Sequence, residues 1–112
     1  MEQIKWSDFE KIELRVGTVI SAIDNDSAYK ASYILEVDFG EEIGVKKSSA
    51  QITELYQMDD LIGKQVVGIV NFPPKQIGKM ISECLITGFS ADHGEVALCI
   101  PDQQVPNGAR LC

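Results

Sequence analysis

The sequence predicts an all-β domain, a small antiparallel barrel with one helix and short terminal extensions. Three observations lead there. Apolar residues recur at every second position through much of the chain, glycine, proline, Asn and Asp punctuate those runs, and one internal segment has helical spacing. The 112 residues suffice for one core, since about two-thirds of the unfolded surface is buried at this size. A hydrophobic fraction of 45% with 24% charged residues places the chain among ordinary soluble domains.

Taken in order, Ser7 and Glu10 stand at capping-box spacing, so a short helical turn is predicted there, with Trp6 and Phe9 folding onto the body. Residues 12–23 alternate as a long first strand. Ile12, Leu14, Val16, Thr18, Ile20 and Ala22 share one face; Glu13, Arg15, Gly17, Val19, Ser21 and Ile23 share the other. Gly17 predicts a bend or bulge in it. After a loop at 24–27, Tyr33, Leu35, Val37 and Phe39 alternate in a second strand, and Gly40-Glu41-Glu42 turns into a third at 43–47. Ser48 and Gln51 repeat the capping-box spacing, and Ile52, Leu55 and Tyr56 form an apolar face, which predicts a helix over 48–56.

A fourth strand is predicted at 64–72, a fifth at 80–89 and a sixth at 95–100, with Asp92-His93-Gly94 as a hairpin turn. The tail from Pro101 turns at Pro106-Asn107-Gly108 and ends near Leu111. A helix between the third and fourth strands of a five-stranded antiparallel barrel is the OB-fold layout.

Most chemistry is absent from the pattern. His93 is the lone histidine and sits in a turn, and no phosphate-cradling glycine motif or metal-ligand spacing occurs. Cys84, Cys99 and Cys112 are odd in number with no CxxC spacing, which argues against a disulfide framework or a zinc site and for a reducing cytoplasm. No apolar run reaches membrane-span length, and residues 1–5 lack a signal-peptide layout. No catalysis, metal or cofactor is expected.

The net charge of −7 is unevenly distributed. Residues 46–81 hold five basic groups against three acidic ones, whereas residues 1–45 hold four against ten. Within the positive half lies the stretch from Asn71 to Glu83, where Pro73 and Pro74 stop a strand and Lys75, Gln76, Gly78 and Lys79 follow. A stiff, cationic loop between two strands is a common way to present a binding site.

Lys46-Lys47-Ser48-Ser49-Ala50-Gln51-Ile52 and Asn71-Phe72-Pro73-Pro74-Lys75-Gln76-Ile77-Gly78-Lys79, with Ile12-Glu13-Leu14-Arg15-Val16-Gly17 before them, closely resemble the CsaA family, secretion-associated chaperones built on a tRNA-binding OB domain. More distantly, Asn71, Pro74, Lys75, Ser82 and Glu83 match the pattern of tRNA-binding domains appended to some aminoacyl-tRNA synthetases. Gln76 and Gly78 depart from that pattern's lysine and arginine. Tyr29-Lys30-Ala31-Ser32-Tyr33 stands where CsaA proteins commonly read Arg-Lys-Pro-Ala-Tyr.

The resemblance implies an N-terminal extension over 1–8, a tRNA-binding OB domain over 9–112, and a cytoplasmic homodimer. Its partners would be tRNA, unfolded or exported polypeptides and the secretion motor SecA, with neither DNA binding nor membrane insertion. The residues that fit RNA are Lys30, Lys47, Lys75 and Lys79 for phosphates, Asn71 and Ser82 for sugar or base edges, and Phe72 for stacking. Val19, Ile23, Ile34, Ile77 and Met80 would form a peptide-binding patch or the dimer interface. The alternatives are a peptide-binding chaperone with incidental RNA binding, or a dimeric scaffold that docks a protein partner.

Overall fold

A computed structural model describes residues 1–112. A short helix α1 (Trp6–Glu10) leads into β1 (Leu14–Asp24), β2 (Tyr33–Asp38) and β3 (Val45–Ala50). Next come a one-turn helix α2 (Met58–Leu61), β4 (Gln65–Ile69), the pair β5 (Lys75–Ile77) and β6 (Met80–Ser82), then β7 (Leu85–Ile86), β8 (Gly88–Ser90) and β9 (Val96–Leu98). One antiparallel sheet runs β3-β2-β1-β4-β7, while β5-β6 and β8-β9 are separate hairpins. The sheet curls until β3 meets the β6–β7 segment, which gives the expected nearly closed OB barrel with its helix between β3 and β4. No helix is long and apolar enough to cross a membrane.

The core follows the alternation of β2. Tyr33, Leu35, Val37 and Phe39 all point inward, joined by Ile52, Leu61, Val66 and Ile86 from other elements. The Phe39 ring lies against two glycines. A Cβ on Gly17 would come within 2.8 Å of its Cδ1, and one on Gly68 within 2.9 Å of its Cζ. Both glycines therefore serve close packing of the ring.

Five expectations change. The helix over 48–56 does not form: β3 continues to Ala50, residues 53–55 make a turn, and the helix falls at Met58–Leu61. Ser48 and Ala50 alternate inward with Ile52, and that strand pattern overrides the helical spacing. The Tyr33 hydroxyl donates to the Tyr56 carbonyl at 2.7 Å, and the Tyr56 hydroxyl accepts from the Leu98 N–H, which pins the turn to the core. Leu55 is left half-exposed.

The β1 bulge lies at Ile20 rather than Gly17: Val19 pairs with Val37, yet Ser21 pairs with Glu36. The extra residue reverses the alternation beyond it, so Ile23 turns outward although Val19, before the bulge, lies inward with Gly17. The predicted strand over 80–89 is broken into β6, β7 and β8. Trp6 does not fold onto the body. It stacks obliquely on Phe9, with ring centroids 5.1 Å apart, and remains largely exposed. The α1 cap is Asp8, whose carboxylate accepts from the Lys5 N–H, in place of the predicted Ser7–Glu10 pair.

The tail fills the edge of β1 that β2 leaves free. Val16 N–H donates to the Ala109 carbonyl, and Leu111 N–H to the Leu14 carbonyl. Beneath that seam, Glu13 accepts from Arg15 at 2.8 Å and from Arg110 at 3.1 Å. Arg15 also donates to the Gly108 carbonyl, and Arg110 to the Glu10 carbonyl. The hydrogen bond from Arg15, aided by the charges of Arg110 and Arg15, outweighs desolvation and holds the Glu13 carboxyl below the ordinary glutamate range.

A carboxyl lowered in the folded state stabilises the fold above its unfolded pKa, and that contribution disappears as pH falls through the folded value. Glu13→Gln should therefore flatten the loss of stability between about pH 5 and pH 3. Urea unfolding at stepped pH checks this, and an unchanged acid slope would contradict it.

Candidate functional site

The outer face of β3 is the floor of the site. Val45, Lys47, Ser49 and Gln51 point away from the core there, because Ser48 and Ala50 point in. The chain leaves β4 at Ile69, passes Phe72-Pro73-Pro74 and returns as the β5–β6 hairpin over this face. Between floor and hairpin lies a concavity of about 610 Å³ whose walls include Phe72, Pro73, Lys75, Ile77 and Leu85. A second one, about 340 Å³, lies beside it and includes Tyr29, Lys30 and Gln76. Ser49, Gln51 and Ile77 line both, so the two form one continuous face.

A polar network fastens the hairpin to the barrel. The Lys79 N–H donates to the Ser27 hydroxyl at 2.8 Å, and that hydroxyl donates to the buried Asn25 Oδ1. Asn25 Nδ2 donates in turn to the Ser49 hydroxyl and the Ile77 carbonyl. Gly78 closes the hairpin with φ +65°, and a Cβ there would collide with Ser27, its backbone included. The arginine of the synthetase-appended pattern has no room in this arrangement.

The four expected lysines lie at or beside this face. Lys75 lines the larger concavity and Lys30 the smaller; Lys79 sits exposed at the hairpin turn, and Lys47 projects from β3 on the same side as Ser49. The three ion pairs of the molecule use Lys11, Arg15 and Arg110, so none of these four ammonium groups has a carboxylate within 4.0 Å. Glu36 is opposite Lys47 in register but is held by the Ser21 hydroxyl at 2.7 Å. Phe72 lines the larger concavity with 53% of its surface exposed.

Asn71 and Ser82 have other work. The Asn71 amide accepts from the Glu13 N–H and donates to the Lys11 carbonyl at 2.7 Å. The Ser82 hydroxyl, although it lines the concavity, accepts from the Ser49 N–H and donates to the Cys84 carbonyl. Glu83 beside it accepts from the Lys47 N–H at 2.9 Å, while its own N–H donates to the Lys47 carbonyl. Ser82 and Glu83 close the barrel seam at β3, and Asn71 ties the end of β4 to the entry of β1.

The apolar set divides too. Val19 is fully buried, so it belongs to the core and to no exposed patch. Ile23 is exposed opposite the half-buried Ile34, and Ile77 faces Met80 across the hairpin. Ile77 alone of these lines the concavity. Gln51, Ser49, Tyr29 and Leu85 are additional to the expected set; strand alternation through Lys47, Ser49 and Gln51 is a signal for the first two, while Tyr29 and Leu85 come from other segments.

Cys84 also lines the larger concavity, and burial pushes its thiol up to about 11, so it stays protonated near neutrality. No three His, Cys, Asp or Glu side chains are gathered to hold a metal ion.

Residues 14–110 match the family model described as "Putative tRNA binding domain". The fold is also that of the chaperone CsaA from Bacillus anthracis str. Ames, at a TM-score of 0.92 and 42% identity over 99% of this chain and 100% of that one. This chain belongs to the CsaA family of tRNA-binding domains. A CsaA chaperone protein from Picrophilus torridus is 44% identical, with a TM-score of 0.91 over 98% of this chain and all of that one. The methionine–tRNA ligase of Thermococcus onnurineus (strain NA1) is 38% identical over 112 residues, 99% of this chain, yet the chain spans only 15% of that enzyme. Within this CsaA-type barrel, the seam assignment has a direct test. Asn71→Ala and Ser82→Ala should each lower stability by about 1 kcal/mol, the usual worth of a hydrogen bond left unmade. Urea denaturation reads this, and unchanged midpoints would free both side chains for a ligand.

Proposed function

We propose that the chain is a cytoplasmic, non-catalytic tRNA-binding protein that receives the RNA on the concave face between β3 and the β5–β6 hairpin. One observation carries this: Lys30, Lys47 and Lys75 border a single face with Lys79 exposed at the hairpin turn beside it, and none of the four has a carboxylate within 4.0 Å. A polyanion settling there releases counterions, which favours binding on a molecule that is acidic as a whole.

The test is titration of tRNA at stepped salt. Affinity should fall as salt rises. Lys75→Glu with Lys79→Glu should weaken binding and make the log–log slope shallower by about one unit for each phosphate no longer neutralised. Absence of binding at low salt, or binding without a salt slope, would end the proposal.

A chaperone role is a second reading, supported by the apolar share of the same concavity (Phe72, Pro73, Ile77 and Leu85) and by the names of the two similar structures. Exported polypeptides, and SecA as their acceptor, would be its partners. Suppression of aggregation of a denatured client by the wild-type protein and by the lysine variants separates it from RNA binding.

Homodimerisation is part of the proposal. Ile4, Trp6, Ile12 and Leu111 leave 71%, 68%, 40% and 40% of their surfaces exposed around the termini, a lot of apolar area for an isolated chain. Sedimentation should give twice the 12.3 kDa chain mass, and Trp6→Glu with Leu111→Glu should halve it. A monomeric wild-type protein would refute this.

A further inference from the structure

We infer that the larger concavity captures one unpaired base of a single-stranded RNA segment, with Phe72 as the stacking platform and Gln51 as the group that meets the base edge. The inference rests on the RNA-binding reading above and specifies which part of the RNA enters the face.

Phe72 is positioned before any ligand arrives. Asn71 immediately before it is bonded to both the Glu13 N–H and the Lys11 carbonyl, and Pro73 and Pro74 after it fix their own backbone angles. With the backbone held on both sides, only the two side-chain torsions of the ring are left to settle when something stacks on it. No core residue covers the ring, which lies half-exposed in the larger concavity. The walls beside it, Pro73, Ile77 and Leu85, are apolar and suit the flat face of a base more than a hydrated phosphate.

The polar groups within reach are mostly occupied. The Ser49 and Ser82 hydroxyls are bonded inside the protein. The Gln76 amide donates to the Gly78 carbonyl within the hairpin. Gln51 is different: it lines both concavities, it is exposed, and no protein group takes up its carboxamide. An amide offers a donor and an acceptor side by side, which suits the edge of a base.

Lys75 in the same concavity and Lys30 in its neighbour then place one cation on either side of the captured nucleotide. A duplex keeps its bases stacked inside and has nothing to insert into an apolar recess; an unpaired loop or end does. An extended peptide would fill the apolar walls but gives the unpaired lysines no role, so RNA is the occupant that the charges favour.

The experiment uses the full chain and three probes: tRNA, an unstructured RNA hexamer carrying a fluorescent adenine analogue, and a short RNA hairpin without unpaired bases beyond a tight loop. The hexamer should displace tRNA while the hairpin does so far less well, and the analogue should be quenched on binding. Phe72→Leu should weaken the hexamer about thirtyfold, the middle of the range for one base–aromatic stack, and abolish the quench. Phe72→Trp should retain both, and Gln51→Ala should cost affinity while leaving the quench.

Suppose tRNA binds with a lysine-dependent salt slope, yet the hexamer does not compete, or Phe72→Leu binds and quenches it like wild type. Base capture is then wrong and the RNA-binding reading stands. If tRNA itself does not bind, both fail. If an apolar peptide binds in a Phe72-dependent way and the hexamer does not, the recess belongs to a peptide and base capture is overturned. An unchanged urea midpoint for Phe72→Leu, whose ring is outside the core, shows that its effect is local.

Discussion

The barrel depends on its seam. Four antiparallel pairings carry the sheet from β3 round to β7, but the last gap, between β3 and the β6–β7 segment, is closed differently. One backbone hydrogen bond joins Glu83 to Lys47, and side chains supply the rest: the Glu83 carboxylate on the Lys47 N–H, the Ser82 hydroxyl on the Ser49 N–H, and the Cys84 thiol on the Lys47 carbonyl. These take up backbone groups that would otherwise need water or a further strand. They also fix the height of Ser49 and Lys47, and so the floor on which the concave face is built.

From that floor the Asn25–Ser27–Ser49 network reaches up to the hairpin. Asn25 is nearly inaccessible and touches a loop neighbour, a strand and the hairpin at once. A buried polar group of this kind is stable only when its bonds are made, so the network specifies one hairpin position. Lys75 and Lys79 are thereby carried on the hairpin beside the face that Lys30 and Lys47 border. At physiological salt, charges are screened beyond about 8 Å, so this local group acts on a ligand despite the chain's net charge of −7.

Much of this was legible in sequence where side-chain alternation faces a core. Tyr33, Leu35, Val37 and Phe39 announced β2 and half the interior, because burial on one face imposes a period of two. The lysines were legible as a cluster along the chain. What could not be read was geometry made by residues far apart. Ile20 looks like any strand residue, and only pairing with β2 shows it to be the bulge that turns Ile23 away from the face of Val19. Residues 48–56 carried a capping-box spacing and a helical apolar face, and lost both to the pairing of β3 with β2. Ser82 and Glu83 sat in a motif associated with RNA, yet their partners, Ser49 and Lys47, lie more than thirty positions earlier and hold them in the seam.

The Phe39 ring has one more implication. It occupies space on β1 and β4 that two ordinary side chains would fill, since Gly17 and Gly68 both yield to it. Volume at these three positions is a single shared quantity rather than three independent ones. A larger residue at Gly68 would call for a smaller one in place of the phenylalanine, whereas one at Gly17 would also meet Val37 Cγ1 and the Asp38 carbonyl, so drift at one site is held in check by its neighbours.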